Sequence, residues 1–458
     1  MRIGPVAVFL ALSVLFGPLI VALNPPLRGP DELAHYLRAH ALAQGELIAD
    51  TAIDDRLGIF LPAELAAEID AFEAYRGRLG DDDFTYRDVL PRILAGGDTA
   101  ENAADDERVF VPYQGSEAYN PVGYLPHIAA AWIADRAGLG FLAESYLMRV
   151  AGFAAFTALV AWAIALTPRL KWAFVLIGLW PAAIFSRAVI SADGAALAYT
   201  MVATALCLAT AAGAAKSAAM RSFWLTLTAL VKPPQLALVL IELIARPWGR
   251  RSLVVAALVV LPALVAGPLW VVATSAEVAA YRMTGDGATP LHEFDPVWKL
   301  GYMIEHPTHF PERLAASLQH DGDALLRQLV GVHGWLDTPL HGLVYPTLAL
   351  LLLAVAAEPL NLAAGARARV AAVATVVTTS YLLGIYLIFY LVWTPLDAQT
   401  VYGVQGRYFV VLLPLVVLFV AALRTRPPPQ PLVPAAATLG SIISGAATLE
   451  ALWRVNWS

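Results

Sequence analysis

The chain has 458 residues, 59% of them hydrophobic and only 14% charged, with a mean hydropathy of +0.64. Soluble domains run at roughly 45–50% apolar and 25% charged residues, so this composition excludes an ordinary soluble protein and assigns the surplus to lipid. The net charge of −6 is uneven, with 21 Asp/Glu against 9 Arg in residues 24–140; this predicts a large acidic loop on one side of a membrane, basic loops on the other, and no nucleic-acid partner.

A membrane helix needs about 20 apolar residues. The first such run, Ile3 to Leu23, follows Arg2. It is longer than the apolar stretch of a signal peptide and ends Val21-Ala22-Leu23 without a small-residue cleavage site, so a retained helix is expected, with residue 24 emerging on the outer face.

The segment that follows reads Asn24-Pro25-Pro26-Leu27-Arg28-Gly29-Pro30-Asp31-Glu32-Leu33-Ala34-His35-Tyr36-Leu37-Arg38. Pro30 is placed to start a helix, which would put Asp31 and Glu32 in its first turn and His35 one turn beyond Asp31. A carboxylate at the membrane edge can have its pKa raised and act as a general base, so Asp31, Glu32 and His35 are the candidate catalytic residues. The plainer reading is that the two acids complement the helix dipole. Further along, Asp81-Asp82-Asp83 reads as a solvated acidic loop. Tyr119, Pro121, Tyr124 and Pro126 read as a packed re-entry into the membrane, and apolar stretches of the loop as interfacial helices.

Further apolar runs lie at 141–166, 172–190, 192–212, 251–273, 340–358, 370–393, 408–423 and 431–450, with a broken run at 222–245. Basic residues flank the broken run on both sides, which places both flanks in the cytoplasm. The segments 168–171, 367–369 and 424–426 then also fall inside. The expected fold is all-α: a polytopic membrane protein of about 9 to 11 transmembrane helices, the number depending on whether 222–245 is a hairpin or two spans. Its parts are the first helix (1–23), the outer loop (24–140), a bundle (141–273) holding the broken pair, a second outer loop (274–339) and the C-terminal helices (340–458). The lone Cys207 excludes an intramolecular disulfide.

Four more places carry candidate chemistry. Ser191-Ala192-Asp193-Gly194 makes a polar turn between two runs. Lys232, one of four lysines, stands before Pro233-Pro234 in the broken run; an ionisable group at membrane depth suggests partnership with an anion, against the alternative of a snorkelling lysine beside a kink. Gly331-Val332-His333-Gly334-Trp335-Leu336-Asp337 offers hydrogen-bonding groups beside a ring suited to stacking on a sugar or to the interfacial aromatic belt. In Gly403-Val404-Gln405-Gly406-Arg407-Tyr408, the Arg407 fork suits a lipid phosphate and Gly406 allows close approach, while an interfacial Arg-Tyr pair is the plainer reading. His306-Pro307-Thr308-His309 is no metal site, because Pro307 breaks the helix that would align the rings. A divalent cation shared by Asp31, Glu32 and Asp193 is the one cofactor the pattern could accept.

Taken in order, Pro-Pro-x-x-x-Pro-Asp-Glu-x-x-His-Tyr, Ser-x-Asp-Gly, Lys-Pro-Pro, Gly-Trp-Leu-Asp and Gly-Val-Gln-Gly-Arg-Tyr look like the bacterial membrane-protein family called domain of unknown function 2142. That family resembles the GT-C superfamily of membrane glycosyltransferases. The resemblance implies transfer of a sugar from a polyprenyl-phosphate donor to a glycan or cell-envelope acceptor, on the outer face of the bacterial inner membrane. It implies an acidic residue of the first outer loop, Asp31 or Glu32, as base, with Lys232 and Arg407 facing the donor phosphate and Gln405, Asp193, Trp335 and Asp337 completing the site. Leu33, Gln235 and His341 depart from the family pattern without removing a proposed catalytic group. A transporter or flippase of a lipid-linked saccharide is the alternative, which inverted repeats would favour; none is seen.

Overall fold

The first apolar run folds as helix α1 (Pro5–Leu23), which begins on a proline, where no backbone donor is needed, and stops at extended Asn24 ahead of the two prolines. A computed structural model describes residues 3–49, 51–53, 56–77, 85–94, 108–113, 115–282, 290–429 and 431–458. Helix α2 (Glu32–Ala43) follows, then α3 (Ala63–Gly77), α4 (Tyr86–Leu94) and α5 (Leu125–Arg136). Between them lies a small antiparallel sheet that run lengths did not disclose: β1 (Ala52–Ile53), β2 (Arg56–Pro62) and β3 (Arg108–Pro112), with Gly58 opposite Pro112 and Pro62 opposite Arg108. Leu57, Ile59 and Leu61 are buried while Phe60 faces out, the period-two pattern of a half-buried strand. Asp81-Asp82-Asp83 lies outside the described residues.

Helix α6 (Phe141–Leu166) matches the second run residue for residue. The expected span at 172–190 is instead two helices, α7 (Lys171–Gly178) and α8 (Pro181–Ala188), broken at Leu179-Trp180 because Pro181 can start a helix but cannot continue one. Helix α9 (Asp193–Ala211) is enclosed by the bundle nearly throughout.

The broken run resolves into α10 (Ala218–Val231) and a 3-10 helix over Pro233–Ile244, separated by Lys232 in extended conformation. Its arms run back and forth beside α9. At the base, Arg221 forms a bidentate pair with Glu242 at 2.7 and 2.8 Å, and at the tip Lys232 pairs with Asp193, the first residue of α9. The two arms thus form a helical hairpin whose tip, Lys232, meets the start of α9.

The rest of the chain comprises α11 (Arg250–Arg282), α12 (Pro296–Glu305), α13 (His309–Gly331), a two-residue ribbon of β4 (Val332–His333) and β5 (Thr338–Pro339), α14 (Val344–Ala356), α15 (Ala364–Trp393), a 3-10 turn (Gly406–Leu412) leading into α16 (Leu413–Leu423), and α17 (Leu432–Asn456). Helix α17 packs against α1 and α14 and closes the bundle. A β-carbon on Gly17 would lie 1.9 Å from the Phe153 ring and one on Gly445 2.3 Å from Phe16, so these two glycines permit the close contacts of α1 with α6 and α17. Among the described residues, seven helices are long and apolar enough to cross a membrane, and α10, the 3-10 arm and α14 are shorter apolar helices. The protein is an all-α polytopic membrane protein, with its few strands confined to the long loops.

Candidate functional site

The Asn24–Arg38 segment is held by a buried arginine that lies inside an apolar run. The Glu32 carboxylate takes Arg149 Nε and Nη2 at 2.7 and 2.6 Å, and also accepts the backbone N–H groups of Gly29 and Ile190 at 2.8 and 2.9 Å. The remaining Arg149 donors reach the carbonyls of Asn24 and Pro25. All four lone-pair positions of Glu32 are thus engaged, and its side chain faces the bundle. Five residues before Arg149, Glu144 accepts from Tyr36 and meets His40 Nδ1, both at 2.8 Å.

Asp31 turns the other way. It occupies the N-cap of α2 in the left-handed region, φ 53°, without capping the helix, so it is not in the first turn as its sequence position suggested. Its carboxylate meets Arg407 Nη2. Arg407 Nη1 also reaches Asp193 Oδ2 at 3.3 Å, and the other oxygen of Asp193 takes Lys232 Nζ. The result is a row of alternating charge: Lys232, Asp193, Arg407, Asp31. These four arrive from the hairpin tip, the start of α9, the 3-10 turn before α16 and the loop after α1, so they converge at the end of the bundle where α1 finishes.

Local sequence explains each placement. Ser191 Oγ accepts the Asp193 N–H and shapes the start of α9. The two prolines end α10 and push Lys232 into extended backbone. Gln405 Oε1 accepts from Arg407 Nε at 2.6 Å and orients the guanidinium. Gly406 serves packing instead of ligand approach: a β-carbon there would lie 2.0 Å from the Leu325 carbonyl, and its N–H donates to Gln328. Aromatic rings cover the row. Lys232 Nζ lies 5.5 Å from the Tyr119 ring and 5.2 Å from that of Tyr408, and His35 stacks on Tyr119 at 5.4 Å while sharing a 2.5 Å hydrogen bond with Tyr124.

Burial pushes the Asp31 carboxyl upward, but Arg407, with Lys232 beyond it, outweighs that and holds it below the ordinary carboxylate range. This corrects the expectation of a raised pKa, which took account of the apolar surroundings but not of the cations. His35 is driven down to about 3 by burial and by Lys232, so its ring is neutral at physiological pH.

Burial likewise brings His127 and His333 to about 3. A histidine that titrates near 6.5 when unfolded and near 3 when folded withholds a proton from the native state. The unfolded chain then binds more protons through that window, and stability falls as pH drops from about 6.5 toward 3. The thermal midpoint of the detergent-solubilised protein is expected to decline steadily over this range; an unchanged midpoint between pH 7 and pH 4.5 would contradict the burial of these rings.

Trp335 and Asp337 do not join the charged row. Asp337 takes Arg28 in a bidentate pair at 2.8 and 2.9 Å, and Trp335 Nε1 donates to the Leu27 carbonyl at 3.2 Å, so this motif braces the Asn24–Asp31 loop from its far side. The three acids that might have shared a cation do not share a face, since Glu32 points to Arg149 while Asp31 and Asp193 point to Arg407. Among the described residues no cluster of three metal-ligating side chains forms. Sequence reading passed over Arg149 and Glu144, although charged residues inside an apolar run were the available signal. It also passed over Arg28 and the ring roles of Tyr119, Tyr124 and Tyr408.

Residues 14–416 match the family described as predicted membrane protein (DUF2142). Comparisons with curated proteins and with solved structures gave no significant match.

Proposed function

The chain belongs to the DUF2142 family of predicted membrane proteins, and from its charged row we propose that it is an inverting glycosyltransferase. It takes a sugar from a polyprenyl-phosphate donor and passes it to a glycan or cell-envelope acceptor. The observation that carries this reading is the meeting of Lys232, Asp193, Arg407 and Asp31 at one end of the bundle. The asymmetry of charge along the chain supports an outer-face position for that end and a cytoplasmic N-terminus, and the reading takes the membrane to be the bacterial inner one. Nucleotide sugars do not occur there, so an activated donor must arrive on lipid.

In this mechanism Asp31 accepts the proton of an acceptor hydroxyl as that oxygen bonds to the anomeric carbon, and the bond from that carbon to the phosphate oxygen breaks. The leaving lipid phosphate gains negative charge, which Arg407 and Lys232 neutralise from positions already set by Asp193 and Gln405. Preorganised charge facing a leaving group in a water-poor cleft is usually the largest catalytic contribution.

Reconstituted protein supplied with a panel of radiolabelled polyprenyl-phosphate sugars and a cell-envelope extract is expected to move label to the extract. Lys232→Met is expected to slow that transfer about 10²–10³-fold. Failure of every donor to lose its sugar to any acceptor, with folded wild-type protein, would sink the reading.

A further inference from the structure

The same cations that would hold a donor phosphate are already occupied. Arg407 directs Nε to Gln405 and Nη1 to Asp193 and the Pro30 carbonyl, and Nη2 is the nitrogen that meets Asp31. Lys232 is buried against Asp193 between two rings. An anion approaching from solvent finds only one member of the row within reach: the Asp31 side chain is 39% exposed, against 10–13% for Lys232, Asp193 and Arg407. Asp31 is also the terminal member, contacting one cation, whereas Asp193 is held by two. Its backbone sits in the left-handed region at φ 53°, which Asp and Asn enter more readily than other non-glycine residues and which aims the carboxylate at Arg407.

We propose that Asp31 is an internal stand-in for the donor phosphate, and that donor binding displaces it from Arg407. This rests on the phosphate-site reading above and deepens it. The phosphate oxygen takes the place of the Asp31 carboxylate on Nη2, one anion for another, so the row keeps its charge balance. The displaced carboxylate loses its closest cation and gains a neighbouring anion, and both changes favour its taking up a proton. A residue that Arg407 holds below the carboxylate range becomes a competent base only once the leaving group is seated. Without a donor the base stays quenched.

The exchange makes a prediction opposite to that for an ordinary binding residue. A competitor that fills the site lowers apparent affinity by the fraction of molecules in which it is bound, so removing it tightens binding. Asp31→Asn preserves size and suits left-handed backbone. Binding of a short-chain isoprenyl monophosphate, and separately of inorganic phosphate, is measured by titration on the full-length protein in detergent at pH 7. The control Asp135→Asn removes an exposed acidic charge from α5.

Asp31→Asn is expected to bind at least about tenfold more tightly than wild type, with the control within about threefold. A gain with both probes supports exchange at a headgroup site; a gain with the isoprenyl probe alone supports exchange at a lipid site. Equal or weaker binding by Asp31→Asn, with binding lost in Arg407→Gln, overturns the exchange while the phosphate site stands. Binding by no variant, or binding indifferent to Arg407→Gln, overturns the phosphate site and the exchange with it.

Discussion

Asp31→Asn is expected to lower sugar transfer about 10²–10⁴-fold, the usual contribution of a positioned general base, while the yield and thermal midpoint of the folded protein stay close to wild type. The side chain is partly exposed and its ion pair with Arg407 is one of two that Arg407 makes. Arg407 keeps Asp193 as a partner, so its charge is not left unpaired, and Asn is well tolerated in left-handed backbone. Fold and chemistry therefore separate at this position. Wild-type turnover by Asp31→Asn would remove the general base from the mechanism.

Glu32→Gln, one residue on and with the same change of charge, is expected to do the reverse. Glu32 and Arg149 are both about 1% exposed and meet through two bonds, while Glu32 also receives two backbone donors. Removing one partner of a buried pair leaves an uncompensated charge and typically costs about 3–5 kcal/mol. Arg149 also ties down the carbonyls of Asn24 and Pro25, so the loop carrying Asp31 would come loose with it. The checks are the amount of folded protein extracted from membranes and its thermal midpoint; an unaltered midpoint would show that the pair is not structural. A double variant, Glu32→Gln with Arg149→Met, is expected to recover part of the loss, because the stranded charge is gone.

The contrast between these neighbours shows where sequence reading stopped. Asp31 and Glu32 are equivalent in the sequence: both are acids just after Pro30 and both could enter the first turn of a helix. Their roles part only because φ 53° at Asp31 turns its carboxylate toward Arg407, 376 residues away, while Glu32 faces the bundle and Arg149, 117 residues away. No local periodicity encodes contacts at that separation. Trp335 and Asp337 are a similar case. Their residue types suit a sugar, yet Leu27 and Arg28 engage them.

Composition by itself determined that this protein lives in lipid, and run length located most of its helices, because a bilayer imposes one length scale and leaves backbone groups no partner but their own helix. The break at Lys232 was legible for the same reason: prolines and a lysine cannot continue a lipid-facing helix. The split of 172–190 into two short helices and the sheet of the first loop were not, since those segments are packed against protein, where tertiary contacts override the hydropathy rule. Only the tertiary structure decided which charges meet. Ion pairing depends on distance and on competing partners, and it set Asp31, Asp193, Lys232 and Arg407 in one row while committing Glu32 to Arg149.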